Sequence, residues 1–306
     1  MEKPKVIVIC GPTASGKTAL GIELAKIING EIVSCDSMQI YKDMTIGTAK
    51  PSLEEMQGIK HYLIDFVSPD QRYSVADFKR DATNAIEEII SKGKTPILVG
   101  GTGLYIDSLI YGIEYNEIKL DKQYREELEK IAQEEGLQVL YDKAMEIDQE
   151  AMEKISPNDK KRILRVLEIY KATGKTKTEQ EIESRKNEVK YDYKIFAIDM
   201  ERSILYDRIN KRVDLMIENG LIQEVENILD KYSEFPTAMQ GLGYKEIVEY
   251  LNGNCTKEEA IDNIKMQTRR YAKRQLTWFR KNKQTVWIDG TNDIQNNINI
   301  ILEGIN

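Results

Sequence analysis

The chain has 306 residues, enough for a full α/β core and a smaller second domain. Charged residues make up 31% and the formal net charge is −7, which speaks against an indiscriminate nucleic-acid coat but leaves room for local basic patches. A single histidine, His61, and three cysteines without metal spacing exclude His-based metal triads, make a carboxylate the expected proton acceptor and suit a reducing cytoplasm. No apolar run approaches the length of a membrane span and no signal-peptide pattern precedes the first strand, so a soluble, cytoplasmic protein is expected.

The apolar run Val6 to Cys10 suits a buried parallel strand. It leads into Gly11-Pro12-Thr13-Ala14-Ser15-Gly16-Lys17-Thr18, which fits GxxxxGK[ST], and then into a helix over Thr18 to Ile28 with Leu20, Leu24, Ala25 and Ile28 on one face. Backbone N–H groups at such a helix start point at an anion, Lys17 adds a charge, and the Thr18 hydroxyl suits a magnesium ion. This context favours a phosphate cradle over a chance Gly-rich turn, and it leaves the reaction open. Glu31 to Asp36 reads as a second strand that ends on a carboxylate. Strand carboxyl ends border the ligand crevice in open α/β sheets, so Asp36 is expected to face the loop, with Ser37, Gln39 and Tyr41 available to read a substrate. A turn-capping Asp36 is the alternative. Residues 46–51 are turn-rich, and His61 to Asp65 forms a short strand in which His61 is a hydrogen-bonded residue rather than a catalyst.

Ser74 caps a helix that runs through Ile90 and stops at Gly93. Thr95 to Val99 is another buried strand. It runs into Gly100-Gly101-Thr102-Gly103-Leu104-Tyr105, where paired glycines let backbone approach a ligand and Thr102 can place a hydroxyl on an oxyanion. Residues 116–190 change to long, charged, helix-favouring sequence, an inserted helical domain between core segments 1–115 and 191–306. Inside it, Pro157-Asn158-Asp159 opens a helix carrying Lys160, Lys161, Arg162 and Arg165, and the polar stretch 175–187 is expected to be mobile. Tyr193 to Asp199 returns to the sheet, followed by helices over Ser203 to Asn219 and Leu221 to Tyr232, a Gly-rich loop at 240–246, a basic aromatic helix and a last strand at Val286 to Ile288. Lys265 to Lys283 holds eight basic residues and no acidic one, and Lys154 to Lys177 holds eight against two. Each alone could be a solvated face; two together point to an anionic polymer as partner.

Gly11 to Thr18, Asp36-Ser37-Met38-Gln39-Ile40-Tyr41, Ile46 to Pro51, Val99 to Tyr105 and Thr268 to Arg280 together resemble the tRNA dimethylallyltransferase (IPP transferase) family, in the same order and over nearly the whole chain. The resemblance implies an α/β fold with a P-loop NTPase-like parallel sheet flanked by helices. It also implies transfer of a dimethylallyl group from dimethylallyl diphosphate to the exocyclic amine of adenosine 37, beside the anticodon, in tRNAs reading codons that begin with U. By that resemblance Gly11, Pro12, Thr13, Ala14, Ser15, Gly16, Lys17, Thr18 and Arg212 hold the diphosphate, with Mg²⁺ on Thr18. Thr102 sits near its bridging oxygen and Asp36 accepts the amine proton. Asp36, Ser37, Met38, Gln39 and Thr102 then hold the extruded adenosine. Lys161, Arg162, Ile163, Leu164 and Arg165 of the insert, with Arg269, Lys273 and Arg274 of the basic helix, grip the anticodon stem-loop. Lys161 stands where the family often has Gln, which exchanges a hydrogen bond for a charge contact. A monomer without a membrane partner is expected. A nucleotide or small-molecule kinase, an isopentenyltransferase acting on free adenine nucleotides and a non-enzymatic RNA-binding module are the competing expectations.

Overall fold

The computed structural model describes residues 3–113, 121–184 and 188–305. The chain divides at Ile110 and Lys190 into two compact units. The expected insert boundary at 115/116 lies outside the described residues.

The first unit is built on β1 (Lys5–Cys10), α1 (Lys17–Ile27), β2 (Gly30–Ser34), α2 (Leu53–Met56), β3 (His61–Tyr62), α3 (Val75–Ser91), β4 (Thr95–Gly100) and α4 (Gly103–Ile110). Its six strands form one parallel sheet in the order β3-β2-β4-β1-β5-β6, where β5 is Asp192–Asp199 and β6 is Val286–Asp289. Strands of a parallel sheet are covered on both faces, which is why Val6 to Cys10 is apolar throughout. The two-residue period sends Val6, Val8 and Cys10 to a layer with Phe78, Ile86 and Ile106 of α3 and α4. It sends Ile7 and Ile9 to the opposite layer with Leu20 and Leu24 of α1. The connection after β1 leads towards β2 and that after β4 crosses to β5, so the crevice at the strand carboxyl ends opens beside β1.

In the second unit, α5 (Lys122–Glu134), α6 (Leu137–Ile147), α7 (Gln149–Met152), α8 (Lys160–Thr173) and α9 (Lys177–Ser184) enclose a small core of Leu128, Leu140, Ala144, Met152, Ile163, Leu164, Val166 and Leu167. The polar stretch 175–187, expected to be mobile, contains the helix α9, and its residues 185–187 lie outside the described residues. Thr176 and Glu179 exchange capping hydrogen bonds at 2.8 and 3.0 Å. The buried Asp148 carboxylate accepts from the Thr178 amide and hydroxyl at 2.8 and 2.6 Å. The polar run carries the T-x-x-E signature of a helix start.

The first unit continues through α10 (Arg202–Glu218), α11 (Leu221–Lys231), α12 (Tyr244–Leu251) and α13 (Lys257–Phe279), and after β6 ends with α14 (Ile294–Ile305). A third apolar cluster joins Ile40, Tyr41 and Met44 of the loop after β2 to Val213, Leu221, Val225, Tyr244 and Ile264 of these helices. Through it, helices late in the chain wall in the crevice. No sequence expectation covered α14, although Ile294, Ile298, Ile301 and Ile305 recur at helical spacing and Ile298 and Ile301 are buried against the sheet. Among the described residues no helix is long and apolar enough to cross a membrane.

Candidate active site

The loop after β1 turns through left-handed backbone at Gly11 (φ 142°), Ala14 (φ 64°) and Gly16 (φ 90°), the last of which starts α1. Alternating conformations of this kind aim successive amides into a concavity that accepts an anion. A side chain on Gly16 would meet nothing, so glycine is there for its conformation; one on Gly11 would press into the backbone of Ile198. The Ser15 hydroxyl is buried in the loop with no hydrogen-bond partner. Lys17 Nζ donates to the Pro12 carbonyl at 2.6 Å. Desolvation of this ammonium, and next the nearby Arg212 charge, lower its pKa to about 8 against the opposing pull of Asp36. Thr18 occupies the first turn of α1.

Asp36 stands two residues past β2 and is half-buried. Its Oδ1 accepts from the Met38 amide at 2.8 Å and the Gln39 amide at 3.3 Å, so it does cap a turn. The capping alternative and the cleft-facing expectation hold together, because Asp36 also lines a cleft of about 340 Å³ with Thr13 of the phosphate loop, Arg212 of α10 and Tyr271 and Arg274 of α13. Ser37, Met38 and the turn Gly47–Thr48–Ala49 complete that wall. Thr102 is fastened to the same turn: its amide donates to the Cys35 carbonyl at 3.1 Å, and its Oγ1 accepts from the Ser37 amide at 3.1 Å. Burial, and then the Asp36 charge, push the Tyr271 phenol up to about 12, while Thr102 and Gln275 hydrogen-bond it.

A family model described as IPP transferase matches residues 39–282. The chain belongs to the IPP transferase family. The tRNA dimethylallyltransferase of Acetivibrio thermocellus is 55% identical over 285 residues, covering 93% of this chain and 91% of that protein. The enzyme of the same name from Halalkalibacterium halodurans is 48% identical, covering 94% and 92%. Among solved structures, a full-length tRNA isopentenylpyrophosphate transferase from Bacillus halodurans superposes with a TM-score of 0.74 at 45% identity, over 99% of this chain and 97% of that one. A eukaryotic dimethylallyltransferase described as acting on tRNA gives a TM-score of 0.83 at 33% identity, over 99% and 79%. The expected fold class, a P-loop-like parallel sheet flanked by helices, is the one this IPP transferase family member adopts.

Three expectations change within the IPP transferase frame. The glycines that end and follow β4 make room for protein: a side chain at Gly100 would overlap the Cys35 backbone, at Gly101 Gln275, and at Gly103 Trp278. Sequence reasoning missed Gln275. Its buried amide donates to the Gly101 carbonyl at 2.8 Å and accepts from the Thr13 amide at 2.9 Å, so α13 bolts the phosphate loop to the loop that carries Thr102. Nearby, Trp278 Nε1 donates to Asp107 at 2.9 Å. Gln39 is already engaged as a strut in this structure. Its Nε2 donates to the Thr48 and Ala49 carbonyls at 3.2 and 3.1 Å, and its Oε1 accepts from the Ser34 hydroxyl at 3.4 Å. Lastly, Ile163 and Leu164 have fully buried side chains in the core of the second unit. Neighbouring helix positions point in different directions, so only the flanking side chains of that run reach solvent. Arg162 is exposed beside Asp159 at 3.4 Å, and Arg165 is half-buried with Glu168 at 3.9 Å. Lys161 is also exposed.

On α13, Lys273 and Arg274 are exposed, whereas Arg269 packs on the Tyr206 ring and donates to Asn210 at 2.6 Å. His61 pairs Nδ1 with the Ile59 carbonyl at 2.9 Å, and burial lowers its pKa, which suits a neutral structural imidazole. Burial likewise pushes the Cys10 thiol up to about 12, leaving it an inert core residue.

Proposed function

We propose that the chain transfers a dimethylallyl group from dimethylallyl diphosphate to the exocyclic amine of adenosine 37 in tRNAs that read codons beginning with U, releasing diphosphate. The observation that supports this reading best is that Asp36 and the phosphate loop, through Thr13, border one cleft together with Arg212. In the reaction the adenine nitrogen attacks the allylic carbon, the carbon–oxygen bond to the diphosphate breaks, and the electron pair leaves with the diphosphate. Loop amides, Lys17 and Arg212 stabilise that growing charge, which is where a preorganised site contributes most. The Thr102 hydroxyl serves the bridging oxygen. Asp36 accepts the amine proton as the new bond forms. The anticodon-loop base is already partly unpaired, so extruding it costs only about a few kcal/mol.

The residues present fit a magnesium ion. That cation commonly takes one or two protein oxygens and completes its shell with water and substrate phosphates, and the unpartnered Ser15 hydroxyl and the left-handed turns mark the loop as built for phosphate. Thr18 would hold it, and bound there it would neutralise the diphosphate as it departs. The exposed cations Lys161 and Arg162 and the half-buried Arg165 of α8, with the exposed Lys273 and Arg274 of α13, are the proposed grip on the anticodon stem-loop. We propose a cytoplasmic monomer.

Purified protein, magnesium, dimethylallyl diphosphate and unmodified tRNA are expected to yield a prenylated adenosine in a nucleoside digest read by mass spectrometry. An unchanged digest with ATP consumed instead would favour a kinase and discard this proposal.

A further inference from the structure

The turn that forms the far wall of the cleft is held by one carboxylate from a distant helix. Glu224 of α11 accepts from three consecutive amides, Thr45 at 2.9 Å, Ile46 at 2.7 Å and Gly47 at 3.1 Å. The Tyr244 hydroxyl donates to the same carboxylate at 2.6 Å. The Tyr244 ring lies so close to Gly47 that any side chain there would overlap it. Three converging amides around one anion form a nest, and charge-assisted bonds of this kind are about twice as strong as neutral ones. The turn next offers its Thr48 and Ala49 carbonyls to Gln39 Nε2. Gln39 in turn ends the three-residue bend whose amides fix Asp36 Oδ1. A relay of hydrogen bonds and short backbone segments therefore runs from Glu224 to the Asp36 carboxylate in the cleft wall. The phosphate loop is fastened separately, by Gln275.

We propose that Glu224, with Tyr244, is a positioning residue that sets the turn at 45–49 and through it the aim of Asp36, without acting on the diphosphate cradle. This rests on Asp36 being the proton acceptor for the nucleobase. Loss of the carboxylate leaves three amides unpartnered and frees the turn, so the defect belongs to the chemical step and to the accepting base rather than to the donor.

The test is steady-state kinetics of Glu224→Ala on the full-length protein with both substrates varied. The expected result is a fall in kcat of about tenfold or more, with the KM for dimethylallyl diphosphate unchanged within about twofold. An open pocket lined by Asp43, Ile46, Gln223, Asn227 and Lys231 borders Glu224. Sodium formate therefore has a route to the emptied nest, and it should restore kcat in Glu224→Ala while leaving Asp36→Asn unaffected. Tyr244→Phe, which keeps the carboxylate and the ring, should show a smaller loss in the same parameter. Hydrogen exchange at the Thr45–Gly47 amides should quicken by about tenfold or more in Glu224→Ala and slow again with formate. Wild-type kcat in that variant, or an equal rise in both KM values without formate rescue, overturns the proposal. Unchanged exchange overturns the clamp itself. A wild-type protein that prenylates no tRNA overturns the functional reading instead, and the exchange measurement then judges the clamp alone.

Discussion

Asp36 lines the cleft, whereas four of the five cations proposed to grip the RNA, all but Arg274, lie outside that lining. Asp36→Asn keeps the Oδ1 acceptor that shapes the turn and removes the proton acceptor. It should lower kcat about 10²- to 10⁴-fold while tRNA retention in a gel stays within about twofold. Lys17 predicts a pH effect with a defined sign. With its pKa lowered to about 8, the ammonium is protonated below that pH and neutral above it. The donor's kcat/KM, which reports the free enzyme, should therefore fall as pH rises through about 8, and Lys17→Arg should remove that limb. Legibility at this scale depends on distance along the chain. The phosphate loop and Asp36 can be read because each announces itself within a few residues. Gln275 and Glu224 cannot, since their hydrogen bonds reach 262 and 177 positions back and only the fold brings the partners together. The engagement of the Gln39 amide with the Thr48 and Ala49 carbonyls is equally hidden from the local sequence.

Among the elements, α8 combines a buried apolar face with the face proposed to meet RNA. Ile163→Ala would open a cavity in a small core, and should destabilise the second unit by about 2–5 kcal/mol, visible as an earlier thermal transition. Arg162→Ala, on the exposed face, should leave that transition in place and raise the KM for tRNA. With one fewer cation on the RNA phosphates, the salt dependence of tRNA binding should also flatten, its log–log slope falling by about one. Helical spacing makes the buried face of α8 readable, yet the expectation of an RNA grip spans 161–165 as a whole. A contiguous run cannot share one face of a helix. For α9 the composition hides a helix that the Thr176–Glu179 pair announces, and the buried Asp148 anchors its start.

For the whole molecule, the parallel sheet is the most legible part, because strands covered on both faces are written as apolar runs and the phosphate loop fixes where the first one ends. Less legible is that a helix near the carboxyl end completes a site begun in the first forty residues. Gln275→Ala should raise the KM for dimethylallyl diphosphate about tenfold or more, because the Thr13 amide loses its acceptor, and should leave tRNA affinity nearly unchanged. The interlocking of α13 with the loop after β4 bears on how such a chain can vary. Any residue larger than glycine at 101 needs a shorter one at 275, and a larger residue at 103 needs a smaller ring at 278. Natural or laboratory drift at those positions should thus arrive in matched pairs, and single exchanges there should be the rarest survivors of a saturation library.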